Sequence, residues 1–261
     1  MSDSSQLYEM NPLERFSDRA AAYAKYRPTY PAQAIDAVLT GLKPPAQLVI
    51  ADIGAGTGIS SHLFAERGAK VYAVEPNAEM RQMVKPHSQI TCLPGTAEKT
   101  GLAIASVDLV TCFQSFHWFQ PELSLQEFHR ILRSQGRTAL VWNDKDLSDA
   151  FTAHYRNLIR EASNNDLVEE RKSDALSSET LAISSLFKNF RLLSFPNSQI
   201  TNLDGLIGRA KSTSYVPQGG DKYQKLVKAL EQLHKQFTDE SGNVALKYQT
   251  RVYLAEAVAK I

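Results

Sequence analysis

The stretch ADIGAGTGIS, residues 51–60, constrains the fold of this chain more than any other. It overlaps the apolar run LVIADIG (48–54), which is typical of a strand buried on both faces, and a helical pattern follows it directly. Gly54, Gly56 and Gly58 alternate at the junction. Glycine permits a tight turn and lets a ligand approach the backbone without a Cβ in the way. The stretch therefore predicts a strand, a ligand-binding loop and a helix in succession.

Further strands alternate with helices along the next part of the chain. Alternation of this kind predicts parallel pairing, right-handed crossovers and helices on both faces of one sheet. The helical segments lie between and after the strands, as in PELSLQEFHRIL (121–132). The predicted strands are KVYAVEP (70–76), QITCLPG (89–95), VDLVTCF (107–113) and GRTALVWN (136–143).

The rhythm changes after residue 143. Residues 144–188 are polar and helical in propensity, and FRLLSFPNSQIT (190–201) predicts a strand interrupted at Pro196. Two helices follow, near 203–211 and 221–237. VALKYQTRVYL (244–254) then alternates between apolar and polar residues, which predicts an antiparallel last strand. The fold class that follows is α/β, and the helices before the first strand and after the fifth strand would pack over one edge as a cap.

Composition restricts the partners of this chain. The 29 basic and 28 acidic residues give a net charge of +1, so there is no basic footprint for a nucleic acid. No run approaches 18 apolar residues, and the N-terminus lacks an apolar signal core, so we expect no membrane span. Cys92 and Cys112 lie in strand-like runs and are expected to be buried thiols, as in a reducing cytoplasm.

Glu75 indicates the class of ligand. It ends the second strand, 21 residues after Gly54, where an acid can bind both hydroxyls of a ribose. The loop spacing is G-x-G-x-G, whereas a dinucleotide loop would place its third glycine at Ile59. Asp52 would repel a pyrophosphate but could hold an ammonium group. These features favour S-adenosylmethionine over a nicotinamide dinucleotide.

Four motifs in order, ADIGAGTGIS, VYAVEPNAEM, GTAEKTGL and VDLVTCFQSFHWF, resemble those of the class I S-adenosylmethionine-dependent methyltransferases. The resemblance is strongest over residues 45–145. FSDRAAAYAKYRPTYP and GRAKSTSYVP also resemble a small-molecule branch, similar to the type 11 methyltransferases, that includes the trans-aconitate methyltransferases. It implies a Rossmann-like seven-stranded sheet in one domain. The implied segments are lid helices (1–44), a cofactor-binding core (45–145), a cap (146–225) and a last helix and strand (226–261).

The resemblance also implies cofactor contacts by position. Many relatives carry an acid where Thr96 stands, so the contact to the adenine amino group would be weaker here or would come from Glu98. Gln114 would lie near the methionine part. The remaining contacts would be Gly54, Ala55 and Gly56 under the methionine part, Glu75 at the ribose, Pro76 or Asn77 beside the adenine, and the backbone of Ala97 at the adenine ring.

The N-terminal helix allows two interpretations. Its aromatic and basic side chains could staple the helix to the sheet. In the related family this segment covers the cofactor as a lid, which would exclude water from methyl transfer. Tyr23 and Arg27 are then cofactor-side candidates. The side chains in question are Tyr23, Tyr26, Arg27 and Tyr30.

The stretch FQSFHWF (113–119) follows the fourth strand. Phe113 is expected in the core, and Phe116, His117 and Trp118 are expected to form the floor between the cofactor and the methyl acceptor. His117 could act as a general base, orient the acceptor or form a wall. A carboxylate acceptor is ionised at neutral pH and needs no base, whereas a phenol needs one, so the role of His117 bears on the substrate class.

Candidate acceptor-binding residues come from three segments. Trp142 and Asn143 end the fifth strand, and a cluster in GRAKSTSYVP joins basic groups to hydroxyls. Such a cluster could bind a carboxylate through charge-assisted hydrogen bonds, or it could be a solvated helix end. Arg27 is a second candidate for an anion clamp. The cluster comprises Arg209, Lys211, Ser212, Ser214 and Tyr215.

Three functions remain open from the sequence. The first is methyl-ester formation on a small organic acid, with methylation of a phenol or quinone-like ring as the runner-up. The second is a nicotinamide-dependent oxidoreductase, and the third is a non-catalytic cofactor-binding protein on the same fold. The histidines show no metal-ligand spacing, so no metal is expected. The oligomeric state is left open.

Overall fold

A computed structural model describes residues 19–163 and 174–260, and the side chains of 174–178 are outside the description. The strands are β1 (Val49–Ile53), β2 (Lys70–Val74), β3 (Ile90–Leu93), β4 (Val107–Phe113), β5 (Leu132–Lys145), β6 (Phe187–Thr201) and β7 (Val244–Ala257). The helices are α1 (Ala20–Tyr26), α2 (Ala32–Leu39), α3 (Ile59–Ala65), α4 (Ala78–Gln82), α5 (Pro121–Ile131), α6 (Ala150–Ala162), α7 (Asp174–Ile183), α8 (Leu203–Lys211) and α9 (Gly220–Phe237).

The strands form one seven-stranded sheet in the order β3-β2-β1-β4-β5-β7-β6. Pairing is parallel from β3 through β5, and β7 runs antiparallel to both β5 and β6. The predicted α/β class, Rossmann-like sheet and antiparallel last strand are confirmed. Strand order reverses between β1 and β4, and ligands of such sheets bind beyond the carboxyl ends of the strands at this switch point.

Buried apolar residues lie on both faces of the sheet. On one face Phe116, Phe128 and Trp142 belong to one cluster, and on the other Ile35 and Phe64 belong to a second. Every residue of β4 is buried, as expected for a central strand covered on both faces. Helices therefore enclose the sheet and leave its carboxyl edge as the place for a site.

The segments after β5 build a third cluster. Phe151 and Tyr155 of α6 pack with Leu230 of α9 and Leu246 of β7. Leu206 and Tyr215 join the same cluster from α8 and the loop after it. The expected cap is therefore a packed layer with its own apolar interior.

Several boundaries and positions differ from the sequence prediction. β6 runs through Pro196 without interruption, because it is an edge strand and proline lacks only the N–H that an edge strand can spare. Cys112 is buried but Cys92 is exposed, because β3 lies at the other edge of the sheet. Neither thiol forms a disulfide. The predicted cap of the first helix at Asn11 lies outside the described residues.

Among the described residues, no helix is both long and apolar enough to cross a membrane.

Candidate cofactor and acceptor site

The glycine loop lies between β1 and α3. Gly54, Gly56 and Gly58 all have left-handed φ angles, of 65°, 57° and 80°. A Cβ at Gly54 would lie 2.7 Å from Ser115 Cβ and 2.9 Å from Phe119 Cζ, so the residues after β4 approach this backbone directly. The backbone N–H groups of Gly54 and Ala55 both donate to Val74 O, which fixes the loop against the end of β2.

Asp52 anchors the loop from below. Its carboxylate is fully buried and accepts hydrogen bonds from Ser60 and Ser61 at 2.6 Å and from Thr111 at 3.0 Å. Burial raises the pKa of Asp52, and the three hydroxyl donors oppose that shift. The sequence suggested that this carboxylate could hold an ammonium group. In the structure it joins β1 to α3 and β4 through these three hydroxyls, and a role toward an ammonium group stays a prediction.

Glu75 lies at the end of β2, facing the loop. Its Oε2 accepts from Gly56 N and its Oε1 from Asn77 N, both at 2.9 Å. Burial raises the pKa of Glu75, and these two hydrogen bonds oppose the shift. A carboxylate oxygen has more than one lone pair, so both oxygens can still accept from ribose hydroxyls. Asn77 also caps α4 through Met80 N, and Pro76 O accepts from Arg81 at 2.7 Å.

The predicted adenine side is a tight turn. Thr96 and Lys99 exchange two hydrogen bonds, and Ala97 between them is buried. Glu98 turns toward α5, where its Oε1 accepts from Gln120 N at 2.9 Å and from Ser124 Oγ at 3.3 Å. Glu98 was the predicted substitute partner for the adenine amino group. One of its two carboxylate oxygens already accepts hydrogen bonds at the start of α5.

Gln114 follows β4 directly and is hydrogen-bonded to the neighbouring strand β5. It has a left-handed φ of 56°, which is uncommon for a residue with a side chain. Its N–H donates to Val141 O, and its Nε2 donates to Asn143 O at 3.1 Å. The next residue, Ser115, donates to Ile53 O at 2.9 Å and so ties β4 to β1. Hydrogen bonds therefore hold the backbone after β4 to both neighbouring strands, β5 and β1.

Thr57, which the sequence analysis did not single out, supplies a test of the cofactor. Its Oγ1 is buried and has no hydrogen-bond partner among the described residues. A buried hydroxyl without a partner is costly unless a ligand satisfies it. A polar ligand in the glycine loop, opposite Glu75, would do so. The loop, the acid and this hydroxyl fit an adenosine cofactor with a polar tail such as S-adenosylmethionine.

A second pocket of about 200 Å³ lies beside Gln114, under the cap. It is formed by the ends of β4 and β5 together with α6, α8, β7 and the end of α1. Four predicted acceptor residues, Trp142, Asn143, Arg209 and Tyr215, line it. Its lining comprises Arg27, Gln114, Trp142, Asn143, Asp144, Lys145, Leu147, Tyr155, Arg156, Ile159, Arg209, Thr213, Tyr215 and Tyr248.

Arg27 and Arg209 bring two guanidinium groups to this pocket. Arg27 Nη2 donates to Ser212 O at 3.0 Å, its guanidinium lies 4.5 Å from the centre of the Tyr23 ring, and Arg209 Nη1 donates to Thr213 Oγ1 at 3.4 Å. The Nε atoms of both arginines are buried and have no partner in the described part of the chain. Burial and the neighbouring charge of Arg209 lower the pKa of Arg27 to about 10, so it remains charged at neutral pH.

The expected position of Arg27 and Tyr23 beside the cofactor is thus refined: the structure places Arg27 in the second pocket, and Tyr23 under its guanidinium. Tyr30 is buried with its ring edge-on to Phe113, 4.6 Å between centroids, which is the stapling contact. Tyr26 packs against Gly208 of α8, where a Cβ would overlap its ring. In the described part of the N-terminal segment, Tyr30 thus packs on the sheet, Tyr26 on α8, and Arg27 lines the second pocket.

Four other candidate acceptor residues lie outside the lining of this pocket. Phe116 is fully buried and packs against Phe128 at 6.2 Å between ring centroids, so it is a core residue and lies outside the lining of the second pocket. The hydroxyl of Ser212 donates to Arg209 O, which closes the end of α8. Ser214 is buried outside the pocket lining, and Lys211 is exposed.

His117 contacts the pocket indirectly. Trp142 Nε1 donates to His117 Nδ1 at 3.4 Å, and the imidazole lies 5.2 Å from the ring of Trp118. Trp118 itself packs into the cap cluster. Because an indole N–H can only donate, Nδ1 must accept, and the proton of the neutral ring is on Nε2.

Residues that the sequence analysis missed come from α6 and β7, and also from the end of β5 and the loop after α8. Tyr155 and Arg156 line the pocket from α6, and Tyr248 lines it from β7. In the sequence, Tyr155 and Arg156 belong to an ordinary amphipathic helix pattern and Tyr248 to an alternating strand pattern, and neither pattern indicates a binding site. The one available signal was the alternation of β7, which places Tyr248 on its buried face.

A family model described as "Methyltransferase domain" matches residues 51–140. An uncharacterized methyltransferase of Mycobacterium tuberculosis is 41% identical over 132 residues, which cover 50% of this chain and 53% of that relative. The chain thus aligns with about half the length of the curated relatives it matches.

Solved structures show the same fold. A candidate type II methyltransferase of Anaeromyxobacter dehalogenans superposes with a TM-score of 0.59 at 20% identity, covering 89% of this chain and 97% of that one. A candidate methyltransferase from an antibiotic biosynthesis pathway of Anabaena variabilis gives 0.55 at 26% identity, covering 85% and 95%. The family match over residues 51–140, together with the strand order and the glycine loop, makes this part of the chain similar to class I S-adenosylmethionine-dependent methyltransferase domains.

Proposed function

We propose that this protein transfers a methyl group from S-adenosylmethionine to a carboxylate of a small molecule. The observation that carries the proposal is the pair of guanidinium groups of Arg27 and Arg209 in the second pocket. In the described part of the chain neither has a carboxylate partner, and the acid in the lining, Asp144, pairs with Arg251 at 3.4 Å. The positive charge of the pocket is thus left for a ligand to balance.

Buried charges are stable only when paired and hydrogen-bonded. Arginine presents a planar fork that matches the two oxygens of a carboxylate, and such charge-assisted bonds are among the strongest in proteins. An organic acid bound between Arg27 and Arg209 would therefore satisfy the two buried Nε atoms. This match of charge and shape is the reason for proposing a small organic acid as the acceptor.

Bound S-adenosylmethionine would supply an activated methyl group that a carboxylate oxygen can accept. Glu75, Thr57 and the glycine backbone would hold the cofactor, and Gln114 lines the acceptor pocket. A carboxylate is already ionised at neutral pH, so the chain needs no general base. Most of the rate gain would come from holding the reactants in line.

The geometry of His117 supports an orienting role. Its Nδ1 accepts from Trp142, so that nitrogen is not available to take a proton from an acceptor. Through this bond His117 holds the indole of Trp142, which lines the pocket. We infer that His117 shapes the acceptor pocket through Trp142 and does not act as the base.

The runner-up acceptor is a phenol or quinone-like ring. The aromatic side chains of Tyr155, Tyr215, Tyr248 and Trp142 in the lining favour it. A phenol would require a base, and the engaged Nδ1 of His117 speaks against that route.

The test is transfer of labelled methyl from S-adenosylmethionine to a panel of acids, phenols and amines at neutral pH. We expect acids to be labelled, and the label to be released as methanol by mild alkali, as from an ester. Arg209→Met should lower kcat/KM for the acid by about 100-fold, or 2.7 kcal/mol. The matched control Lys211→Met removes an exposed charge two positions away and should leave it unchanged. Labelling of phenols alone would overturn the proposal.

A further inference from the structure

We propose that the acceptor anion is itself the latch that closes the N-terminal helix over the site, by bridging Arg27 at the end of α1 to Arg209 of α8. This inference rests on the proposed function, since it takes the acid to be the ligand of the second pocket. It assigns the two arginines a positioning role in addition to binding. Its consequence is that acid and cofactor bind with positive coupling.

The two charges come from elements that pack against each other. Arg27 is the residue directly after α1, and Arg209 lies in α8, one residue beyond Gly208, where a Cβ would overlap the Tyr26 ring. Arg27 and Arg209 both line the second pocket, and because both guanidinium groups are charged they repel each other there. Without an anion, closure of α1 on α8 therefore works against the repulsion. A carboxylate between them replaces repulsion by two attractions.

A second connection between α1 and the pocket runs through Gln199 of β6. Gln199 Nε2 donates to Tyr26 O at 2.9 Å, and Gln199 Oε1 accepts from Tyr248 Oη at 3.5 Å. Tyr248 lies beside Arg209 in the pocket lining. The last turn of α1 is thus connected to the pocket by two routes, directly through Arg27 and indirectly through Gln199 and Tyr248. A ligand that fixes Arg209 would act on both routes.

The contacts that Arg27 makes within the protein are with uncharged groups, which is consistent with a role in binding an anion. Arg27 donates to a backbone carbonyl, Ser212 O, and stacks on Tyr23, and neither contact neutralises its charge. Such contacts position the guanidinium without removing its need for an anion. Since coupling is reciprocal, an anion that favours closure raises cofactor affinity by the factor by which the cofactor raises anion affinity.

The test measures binding of S-adenosylhomocysteine by calorimetry, which requires no turnover. Malonate is the anionic probe, and malonamide is its uncharged control of similar shape. For the wild-type protein we expect malonate to tighten S-adenosylhomocysteine binding by about fivefold or more, a common size for coupling between sites. Malonamide should have no effect. Lys211→Met should retain the malonate effect, because its charge is outside the pocket.

Arg209→Met adds a measurement that does not depend on how well malonate fits the pocket, because binding is compared without any anion. Removal of one charge removes the repulsion, so this variant without anion should bind S-adenosylhomocysteine at least as tightly as the wild-type protein, and malonate should no longer tighten binding. Weaker binding by Arg209→Met, or a wild-type affinity that malonate leaves unchanged, overturns the latch. Acid methylation without coupling would overturn the latch alone. Coupling without methylation of any acid would overturn the proposed function alone.

Discussion

Gly54 is the residue at which the cofactor loop has least room. Its φ of 65° disfavours any side chain, and a Cβ would lie 2.7 Å from Ser115 Cβ. We expect Gly54→Ala to displace the loop and to weaken S-adenosylhomocysteine binding by about 100-fold, or 2.7 kcal/mol, as measured by calorimetry.

The matched control for that change is Gly242→Ala. Gly242 has a similar φ of 76° but nothing within 4 Å of its Cβ position, so it carries the backbone strain without the collision. It should lower thermal stability slightly and leave S-adenosylhomocysteine binding intact. Equal losses of binding in the two variants would mean that backbone strain, and not contact with Ser115, governs the loop.

His117 illustrates how one hydrogen bond restricts a role. Since its Nδ1 accepts from Trp142, we expect His117→Ala to lower kcat/KM for an acid acceptor by less than about tenfold, or 1.4 kcal/mol. His154→Ala on the exposed side of α6 is the control for loss of an imidazole elsewhere. A drop of several thousandfold, confined to His117→Ala, would show that it is the general base after all.

At the scale of elements, α1 packs against α8 through the Tyr26 ring and Gly208, beside the second pocket. Gly208→Ala would push the Tyr26 ring away, although alanine favours a helix over glycine by about 1 kcal/mol. We therefore expect α8 to be no less stable while S-adenosylhomocysteine binding weakens by about tenfold in calorimetry. Gly219→Ala, with open space around its Cβ position, should change neither. Unchanged binding in Gly208→Ala would exclude α1 as a lid.

Asp108, at the start of β4, is bonded to the start of β1 and to two basic side chains. Its carboxylate accepts from Val49 N at 2.9 Å and pairs with Arg133 and Lys43. Burial acts to raise the pKa of Asp108, but these hydrogen bonds outweigh burial and lower it below the ordinary 3.8. A lowered pKa in the folded state means that the stabilisation is present at neutral pH and is lost as the pH falls through that lowered value.

Asp108→Ala should accordingly reduce the free energy of unfolding by about 1–3 kcal/mol at pH 7, chiefly because Val49 N–H loses its acceptor. Urea unfolding at pH 7 and at pH 3 checks this, and the difference from the wild-type protein should shrink at the lower pH. The ion pairs add little, since Lys43 and Arg133 are largely exposed. A difference that grows on acidification would contradict the sign.

At the scale of the whole molecule, the cofactor should stabilise the fold. A ligand at 100 times its Kd adds about 2.7 kcal/mol, which for a chain of this size raises Tm by about 5–10 °C. We expect S-adenosylhomocysteine to give such a shift in a thermal melt and NAD to give none, because the loop lacks the third dinucleotide glycine and holds the buried carboxylate of Asp52. An equal shift with NAD would contradict the cofactor assignment.

The sequence by itself determined the strand and helix pattern, the antiparallel last strand and the glycine loop with Glu75, because these depend on the period of apolar residues and on backbone conformations along short stretches. Only the tertiary structure decided the rest. Arg27 meets the loop after α8 across 185 positions of chain, Phe116 joins the core, and Asp52 finds three hydroxyls from α3 and β4. Such contacts depend on how distant segments pack, which no local pattern encodes.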